Sequence, residues 1–279
     1  MRRALRLNYN VILEKIEQID DYKFKFSSFC NGGRYSIFRG QCNSSWELKS
    51  TLQRVIGKSL TKEECWSMYL DYFDRFKRVA IEGGYDKLKL ESQNEDFFYM
   101  SMARHLGFPS HFIDWSSSFE TAIEMACNNS DEFQDCDGII YVMSFPKIKH
   151  TKSTSKIDIW KETILICKDF DLVFPDIRIQ NLPLGRLRRF RQNGYFSIIN
   201  PNDFDKPILD LLSTNGISCY KIIIPKGEKL LFKQFLSSLR IDNYYGLDIY
   251  NKEGKIQSTD VKLLNIIADF NDSIKSITI

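Results

Sequence analysis

The chain has 279 residues, of which 43% are hydrophobic and 14% aromatic, enough to bury a core as one large domain or two small ones. This composition excludes a mostly disordered chain. The net charge is only +3, from 39 basic and 36 acidic residues, so no overall field marks a nucleic-acid or membrane protein. A local basic patch is still open.

Cysteine usage and hydropathy predict a cytoplasmic protein. The seven cysteines are odd in number and form no close CxxC pair, which favours reduced thiols over a disulfide framework. The first residues pass quickly into polar sequence, without the apolar core of a secretory signal. No apolar run approaches the roughly 20 residues that a membrane span needs. We therefore expect no membrane association.

The amino-terminal third predicts a helix followed by a strand. Over residues 8–20, Val11, Leu13, Ile16 and Ile19 are spaced as on a short amphipathic helix. Residues 35–41 alternate as in a strand after an Asn-Gly-Gly turn. Gly40 in this strand would let another group approach the backbone closely.

Two further helices follow. Thr61 and Glu64 form a capping box that predicts a helix through about residue 80, with an apolar stripe facing the core. A second helix is predicted from about Glu95 to Leu106 and stops at Gly107, which suits a left-handed cap. His105 would lie in its last turn.

The segment 104–116 is the most informative in the chain, because it holds two of the three histidines, an aspartate and a tryptophan. Its Gly-x-Pro break forces a turn, and the apolar residues that follow would carry Asp114 inward. A buried carboxylate is costly unless it is hydrogen-bonded or charge-paired, so Asp114 needs a partner. Serines 116–118 would cap a third helix, on which Ala122 and Ala126 share a face.

The second half of the chain begins with a predicted buried strand over residues 138–143. Residues 146–185 show no dominant period, and we interpret them as an insertion or irregular connection. A cluster of four arginines at 186–191 would attract a polyanion or form a solvated strand edge. A strand to residue 199, a strand over 220–224, a helix over 226–239 and a final amphipathic helix complete the prediction.

Six motifs follow one another along the chain: the Phe38-Arg39-Gly40-Gln41 run, Trp46 with Leu48, His105-x-Gly107-x-Pro109-Ser110, Asp114-Trp115-Ser116, Ala122 with Ala126, and Arg188-x-x-x-Gln192-x-Gly194-x-Phe196. In this order they resemble the FRG domain family across roughly residues 30–250. The chain departs from the family pattern at Arg104, where glutamine is more common. The resemblance implies three parts: a helical segment at 1–29, an FRG domain at 30–250, and a carboxy-terminal helix at 251–279 packed on the same domain.

The same layout is similar to that of ADP-ribosyltransferases, which implies an α+β fold with a mixed sheet core and flanking helices. In those enzymes a first-strand arginine grips an NAD phosphate, and a central serine holds the nicotinamide ribose. Arg39 and Ser116 match these positions. Where the enzymes carry a glutamate that stabilises the ribosyl cation, this chain has Gln192, a neutral amide that cannot supply that charge. Either Asp114 replaces that carboxylate, or the chemistry is altered or absent.

These resemblances imply catalytic roles for His105, Asp114 and Gln192, and NAD as a substrate. The residues expected to contact NAD are Arg39, Gly40, Ser110, Trp115, Ser116 and Arg188. The expected activity is ADP-ribosyl transfer to a protein or nucleic-acid acceptor, as in a bacterial toxin or antiphage effector with an antitoxin or defence-system partner. The alternative is a non-catalytic module that binds a nucleotide or nucleic acid.

Several of these residues also have a structural interpretation. Arg39 could pair with Asp114 and hold two strands together, and His105 could cap the end of its helix. Trp115 could belong to the core, and Ser110 and Ser116 could serve the turn and the next helix. We expect His111 on the surface. A metal site formed by His105, His111, Asp114 and Cys127 matches no established ligand spacing, and none is predicted.

Overall fold

The computed structural model describes residues 11–15, 34–55, 60–88, 94–127, 135–146, 160, 164–168, 194–214, 217–238 and 258–277. Seven strands are present: β1 (Val11–Lys15), β2 (Arg34–Gln41), β3 (Phe112–Ser116), β4 (Gly138–Pro146), β5 (Ile164–Lys168), β6 (Gly194–Ile199) and β7 (Ser218–Ile224). The helices are α1 (Lys62–Glu82), α2 (Glu95–His105), α3 (Phe119–Cys127), α4 (Ile208–Thr214), α5 (Lys229–Ser238) and α6 (Ser258–Ile277).

The strands form one sheet in the order β1-β7-β4-β2-β3-β6-β5. All neighbours are antiparallel except β1 and β7, which are parallel. The mixed α and β content therefore agrees with the predicted α+β class. β2 pairs with β4 along its whole length but is in register with β3 only at Phe38 and Ser116. The sheet thus consists of two halves that meet between β2 and β3.

The amino-terminal prediction was wrong, because residues 11–15 form strand β1 and not a helix. Val11, Ile12 and Leu13 are a short apolar run, which periodicity alone cannot assign to a helix or a strand. The edge of β7 decides the matter, because it offers unpaired backbone groups from Cys219 to Ile223 that β1 satisfies.

The capping and stop signals of the first two helices are confirmed. The Thr61 hydroxyl accepts from the Glu64 backbone while the Glu64 carboxylate accepts from the Thr61 backbone, which satisfies two orphan donors at the start of α1. α2 ends at His105, and Gly107 follows in the left-handed region with φ 97°. The glycine is required there because a side chain would be strained at that φ.

An apolar layer covers one side of β2, β4 and β7. Helices α3 and α5 pack there, and the layer consists of Phe38, Phe119, Ala122, Ile123, Ala126, Cys127, Ile140, Val142, Ile222, Ile224, Phe232 and Leu236. All of these side chains are nearly or fully buried. This layer holds β2 rigidly from one side.

A larger, aromatic core joins the remaining helices to the sheet. Tyr69 and Tyr72 of α1 contact Phe270 of α6, and Phe108 stacks on Phe270 with ring centres 4.7 Å apart. The carboxy-terminal helix therefore packs on α1, next to the turn that leads into β3. No helix among the described residues combines the length and the hydropathy needed to cross a membrane.

The insertion predicted at 146–185 contributes β5, which pairs with β6 at the edge of the sheet, and Trp160, which packs on Trp66. The rest of that segment and the Arg186–Arg191 cluster lie outside the described residues.

Candidate functional site

Asp114 is held by an arginine from α2. Arg104 Nε donates to Asp114 Oδ1 over 2.6 Å, and Arg104 Nη2 donates to Asp114 Oδ2. The two parallel bonds form the bidentate geometry that suits guanidinium and carboxylate best. The side chain of Arg104 is 10% exposed and that of Asp114 is 34% exposed. The predicted need of Asp114 for a partner is therefore confirmed.

The local fold explains why these two residues meet. Alternate residues of a strand face the same side, so Asp114 shares a side of β3 with Phe112. Phe112 packs against Phe97 of α2 with ring centres 5.6 Å apart, which places α2 over that side. Gly107 then turns the chain back, so that Arg104 at the end of α2 lies beside the strand that follows.

Arg39 lies where the two halves of the sheet meet. Its Nη1 donates to the backbone carbonyl of Asp114 over 2.7 Å and lies 3.8 Å from Asp114 Oδ2. The side chain is 16% exposed. Arg39 thus extends the contact between β2 and β3 beyond their registered pair, as the structural interpretation of this residue predicted.

The surroundings of Asp114 carry more positive than negative charge. Burial lowers the pKa of the Arg54 guanidinium, and repulsion from Arg104 lowers it further. Arg39 and Arg104 therefore both lie beside the single carboxylate of Asp114, and Arg54 is close enough to Arg104 for their charges to repel. Such an excess favours an anionic ligand. Guanidinium groups bind phosphate oxygens through paired donors, so a phosphate is the anion that these side chains suit best.

Ser110 supports this cluster from the turn. It is fully buried, and its hydroxyl accepts from Arg104 Nη1 over 2.8 Å and from the Phe112 backbone over 3.3 Å. Thr51 accepts from the Ser110 backbone and thereby ties the loop after β2 to the same turn. Ser110 therefore fixes the direction of Arg104, while its predicted contact with NAD stays a prediction.

Ser116 and Trp115 have structural partners. Ser116 is 2% exposed, and its hydroxyl accepts from the Ser118 backbone at the start of α3. Trp115 is also 2% exposed, and its indole nitrogen donates to Ser197 Oγ over 2.9 Å. The structure therefore shows the capping and core interpretations of these two residues. Direct NAD contacts from them are untested.

Gly40 is in contact with α3. A Cβ atom built on Gly40 would lie 1.9 Å from the Ala122 carbonyl oxygen and 2.7 Å from the Ala126 nitrogen. The close approach that the sequence predicted is therefore made by a helix backbone, through the face that the two alanines share. This contact gives the glycine a structural reason, and its predicted role beside NAD is untested.

The expectation that His111 lies on the surface was wrong. His111 is fully buried, and its ring contacts Trp66, Tyr69, Phe112 and Trp160. The Gly-x-Pro turn and the strand after it carry this residue inward together with its apolar neighbours. A polar residue beside the turn gave no sign of this burial, because the aromatic side chains that enclose it come from distant segments.

Three further predicted site residues lie wholly or in part outside the described residues. His105 is the last residue of α2, and its side chain lies outside what the structure describes. Gln192 and Arg188 also lie outside the described residues. Gly194, two residues after Gln192, pairs with Ser116, which itself pairs with Phe38. The motifs that contain Phe38, Ser116 and Gly194 therefore have residues on neighbouring strands.

No three metal-ligating side chains come together within the described parts of the chain. Cys127, one of the residues weighed for a metal site, is fully buried in the apolar layer. Burial raises the pKa of its thiol to about 12, so that it stays protonated at neutral pH.

Sequence reasoning missed Arg104 as a site residue. The signal was present, because the chain departs from the family pattern there and an inward carboxylate follows ten residues later. The departure replaces a neutral amide by the charge that Asp114 requires. Arg54 and Thr51 gave no comparable signal, since their roles depend on how the loop after β2 folds against the turn.

Comparison with known protein families matches residues 34–135 to the FRG domain. Neither the search of curated proteins nor the search of solved structures found a match. The matched segment begins at β2 and includes α1, α2, β3 and α3, so it contains Arg39, Arg104 and Asp114. It ends before β4, and the wider limits of 30–250 stay a prediction. The match to the FRG domain covers residues 34–135, and the arginine–aspartate cluster lies within this segment.

Proposed function

We propose that this protein binds NAD at the Arg39–Asp114 cluster and transfers ADP-ribose to a protein or nucleic-acid acceptor. The observation that carries the proposal is the row Phe38–Ser116–Gly194 across β2, β3 and β6. It supports the proposal because the motifs that contain Arg39 and Ser116 lie on adjacent strands, and the strand that follows Gln192 lies next to them. The finer fold assignment, an ADP-ribosyltransferase-like core, belongs to the same proposal.

The charges around Asp114 support NAD as the substrate. A pyrophosphate carries two negative charges, and Arg39 and Arg104 beside Asp114, with Arg54 close to Arg104, leave an excess of positive charge for it. Arg39 would bind one phosphate, and the ligand would compete with the Asp114 carbonyl for its Nη1 donor. Asp114 would organise the ribose or activate the acceptor, and Gln192 would bind a hydroxyl.

The structure also gives a reason to retain a second candidate, a binding module without turnover. Both oxygens of Asp114 accept from Arg104, which neutralises much of the charge that a developing oxocarbenium ion would need. If that ion pair persists with NAD bound, the site would hold the nucleotide and signal to a partner without cleaving it.

The test is incubation of the purified protein with adenylate-labelled NAD, host protein and host nucleic acid. The variants Arg39→Ala and Asp114→Asn are compared with Arg78→Ala, which removes an exposed arginine from α1. Covalent label from the wild type and from Arg78→Ala, with a loss of about 100-fold or more in the two site variants, would support transfer.

Two other outcomes separate the candidates. Binding of NAD that tolerates Asp114→Asn, depends on Arg39 and releases no nicotinamide would replace the enzyme by the binding module. A folded wild type that neither binds nor cleaves NAD would overturn both.

A further inference from the structure

Gln41 is a buried amide without a hydrogen-bond partner. It is 5% exposed, and within the described chain neither its side-chain oxygen nor its nitrogen has a partner. An unsatisfied buried amide lowers the stability of the folded state. A strand residue that only packed would be more stable as an apolar side chain, so the amide points to a group that is bound from outside.

The sheet places this amide beside Arg39. The two residues are separated by one position on β2, so they face the same side at a spacing of roughly 7 Å. Arg39 is directly opposite Tyr141 on β4, which is therefore on that side as well. A ligand phosphate on Arg39 would leave Gln41 about one ribose away.

The backbone of Trp46 lies over the same side. The Tyr141 hydroxyl donates to the Trp46 carbonyl over 3.3 Å, which holds the loop after β2 against that face of the sheet. Burial raises the pKa of Tyr141 to about 12, so the hydroxyl remains a donor. The side chain of Trp46 is 36% exposed, so part of its indole ring is open to solvent.

We propose that Gln41 and Trp46 form a subsite for a planar heterocycle, next to the phosphate held by Arg39. Trp46 stacks on the ring, and the Gln41 amide pairs with a ring edge that carries a donor beside an acceptor. The nicotinamide carboxamide and the amino edge of adenine both have that chemistry. The inference rests on the proposed NAD function and names how the site recognises the ring.

Ligand entry requires the loop after β2 to shift, because the Gln41 amide atoms are shielded in the free protein. Thr51, which accepts from the Ser110 backbone, fixes the far end of this loop. Nearer to β2, the Ser44 nitrogen donates to the Asp137 carbonyl over 2.7 Å, and the Trp46 carbonyl accepts from Tyr141. A displacement of the part that carries Trp46 therefore has to break the bond between Tyr141 and the Trp46 carbonyl. Pairing with the ligand then supplies the partners that the amide lacks.

The test measures binding of nicotinamide mononucleotide, adenosine monophosphate and ribose 5-phosphate to the full chain by calorimetry. Ribose 5-phosphate is the matched ligand without a ring. The variants are Gln41→Leu, Trp46→Ala and Trp46→Phe, with Arg39→Ala as the phosphate control. Thermal unfolding of every variant is recorded alongside.

We expect the wild type to bind at least one ring-bearing ligand more tightly than ribose 5-phosphate. Trp46→Ala and Gln41→Leu should each weaken that ligand about 10-fold or more, while ribose 5-phosphate is unaffected and Trp46→Phe stays close to wild type. Gln41→Leu should also raise Tm by about 2 °C, because it removes an unsatisfied buried amide. Which mononucleotide shows the preference identifies the ring.

Two results would overturn the subsite. If NAD binding depends on Arg39 but Gln41→Leu and Trp46→Ala bind the ring-bearing ligands like wild type, the subsite is wrong and the NAD proposal stands. A marked fall in Tm for Gln41→Leu, with unchanged ligand preference in Trp46→Ala, would show that the amide is structural. If the wild type binds none of NAD and the three probes, both proposals fail.

Discussion

Arg39 and Gly40 are adjacent on β2, yet the two sides of the strand that they face have opposite characters. On the Gly40 side, the backbone of α3 approaches so closely that no Cβ fits, and the surrounding layer is apolar throughout. On the Arg39 side there are a charged side chain and a buried amide. The apolar layer on the Gly40 side makes β2 rigid, so that Arg39 can be held at a fixed distance from Asp114.

The two sides of β2 differ in what a substitution there should change. A close-packed apolar layer has little free volume, so a substitution that changes the volume of a side chain must displace neighbouring atoms. A substitution in a polar cluster costs less stability, but it removes specific hydrogen bonds and ion pairs. Substitutions on the Gly40 side should therefore reduce stability, whereas those on the Arg39 side should reduce binding more than stability.

The largest effect is expected from Gly40→Val. The new side chain would overlap the Ala122 carbonyl and force α3 away from the sheet, which should cost about 3 kcal/mol or more in the free energy of unfolding. Chemical denaturation measures this change. The control is Gly227→Val, because a Cβ at Gly227 meets no atom within 4 Å. Equal stability of the two variants would contradict the close approach of α3.

Asp114→Asn should have the next largest effect. It leaves Arg104 and Arg39 without their carboxylate, and because Asp114 is about one-third exposed we expect a loss of about 2 kcal/mol rather than the full cost of a buried pair. Thermal unfolding provides the measurement. Asp272→Asn breaks an exposed pair with Lys275 and should produce no measurable change. A loss no greater than that of this control would show that the cluster does not stabilise the fold.

Arg39→Lys should sharpen the comparison by separating binding from stability. The lysine keeps the charge but has one nitrogen where the guanidinium offers paired donors to a phosphate, so we expect about a 10-fold weaker affinity for NAD. The free energy of unfolding should fall by only about 1 kcal/mol. Calorimetric titration and denaturation are done on the same preparation. A stability loss without an affinity loss would assign Arg39 to structure alone.

The smallest expected effect is a pH dependence of the free energy of unfolding, which comes from Cys127 in the apolar layer on the Gly40 side. Burial raises the pKa of the Cys127 thiol to about 12 from its ordinary 9.0. Above pH 9 the unfolded chain releases this proton while the folded chain keeps it, so stability falls as the pH rises. Between pH 8 and pH 10 this thiol should account for about 1 kcal/mol of the fall. In Cys127→Ala, the free energy of unfolding should fall by about 1 kcal/mol less over this pH range than in the wild type. An equal fall in the two proteins would mean that water reaches this layer.

Local signals predicted most of the secondary structure. The capping box at Thr61, the stop at Gly107 and the serines before α3 concern groups within a few residues of one another, so their bonds form wherever the rest of the chain goes. The short apolar run at Val11–Leu13 had no such signal. Its conformation depends on the free edge of β7, more than 200 residues away.

The site was only partly predictable for a related reason. The inward carboxylate of Asp114 and its need for a partner follow from the cost of burying charge, and they were predicted from its apolar neighbours alone. The identity of that partner required the turn at Gly107 to fold α2 back over β3. His111 shows the converse case, because aromatic side chains from α1 and from Trp160 bury a residue that its own neighbours suggested was exposed.

The sequence by itself determined the FRG motifs, the ends of α1 and α2, and the requirement that something neutralise Asp114, since each depends on the chemistry of nearby residues. Only the tertiary structure decided that Arg104 is that partner, that α3 fills the space above Gly40, and that Gln41 is buried beside Arg39. These outcomes depend on contacts between segments far apart in the chain, and such contacts are chosen by the packing of the whole core.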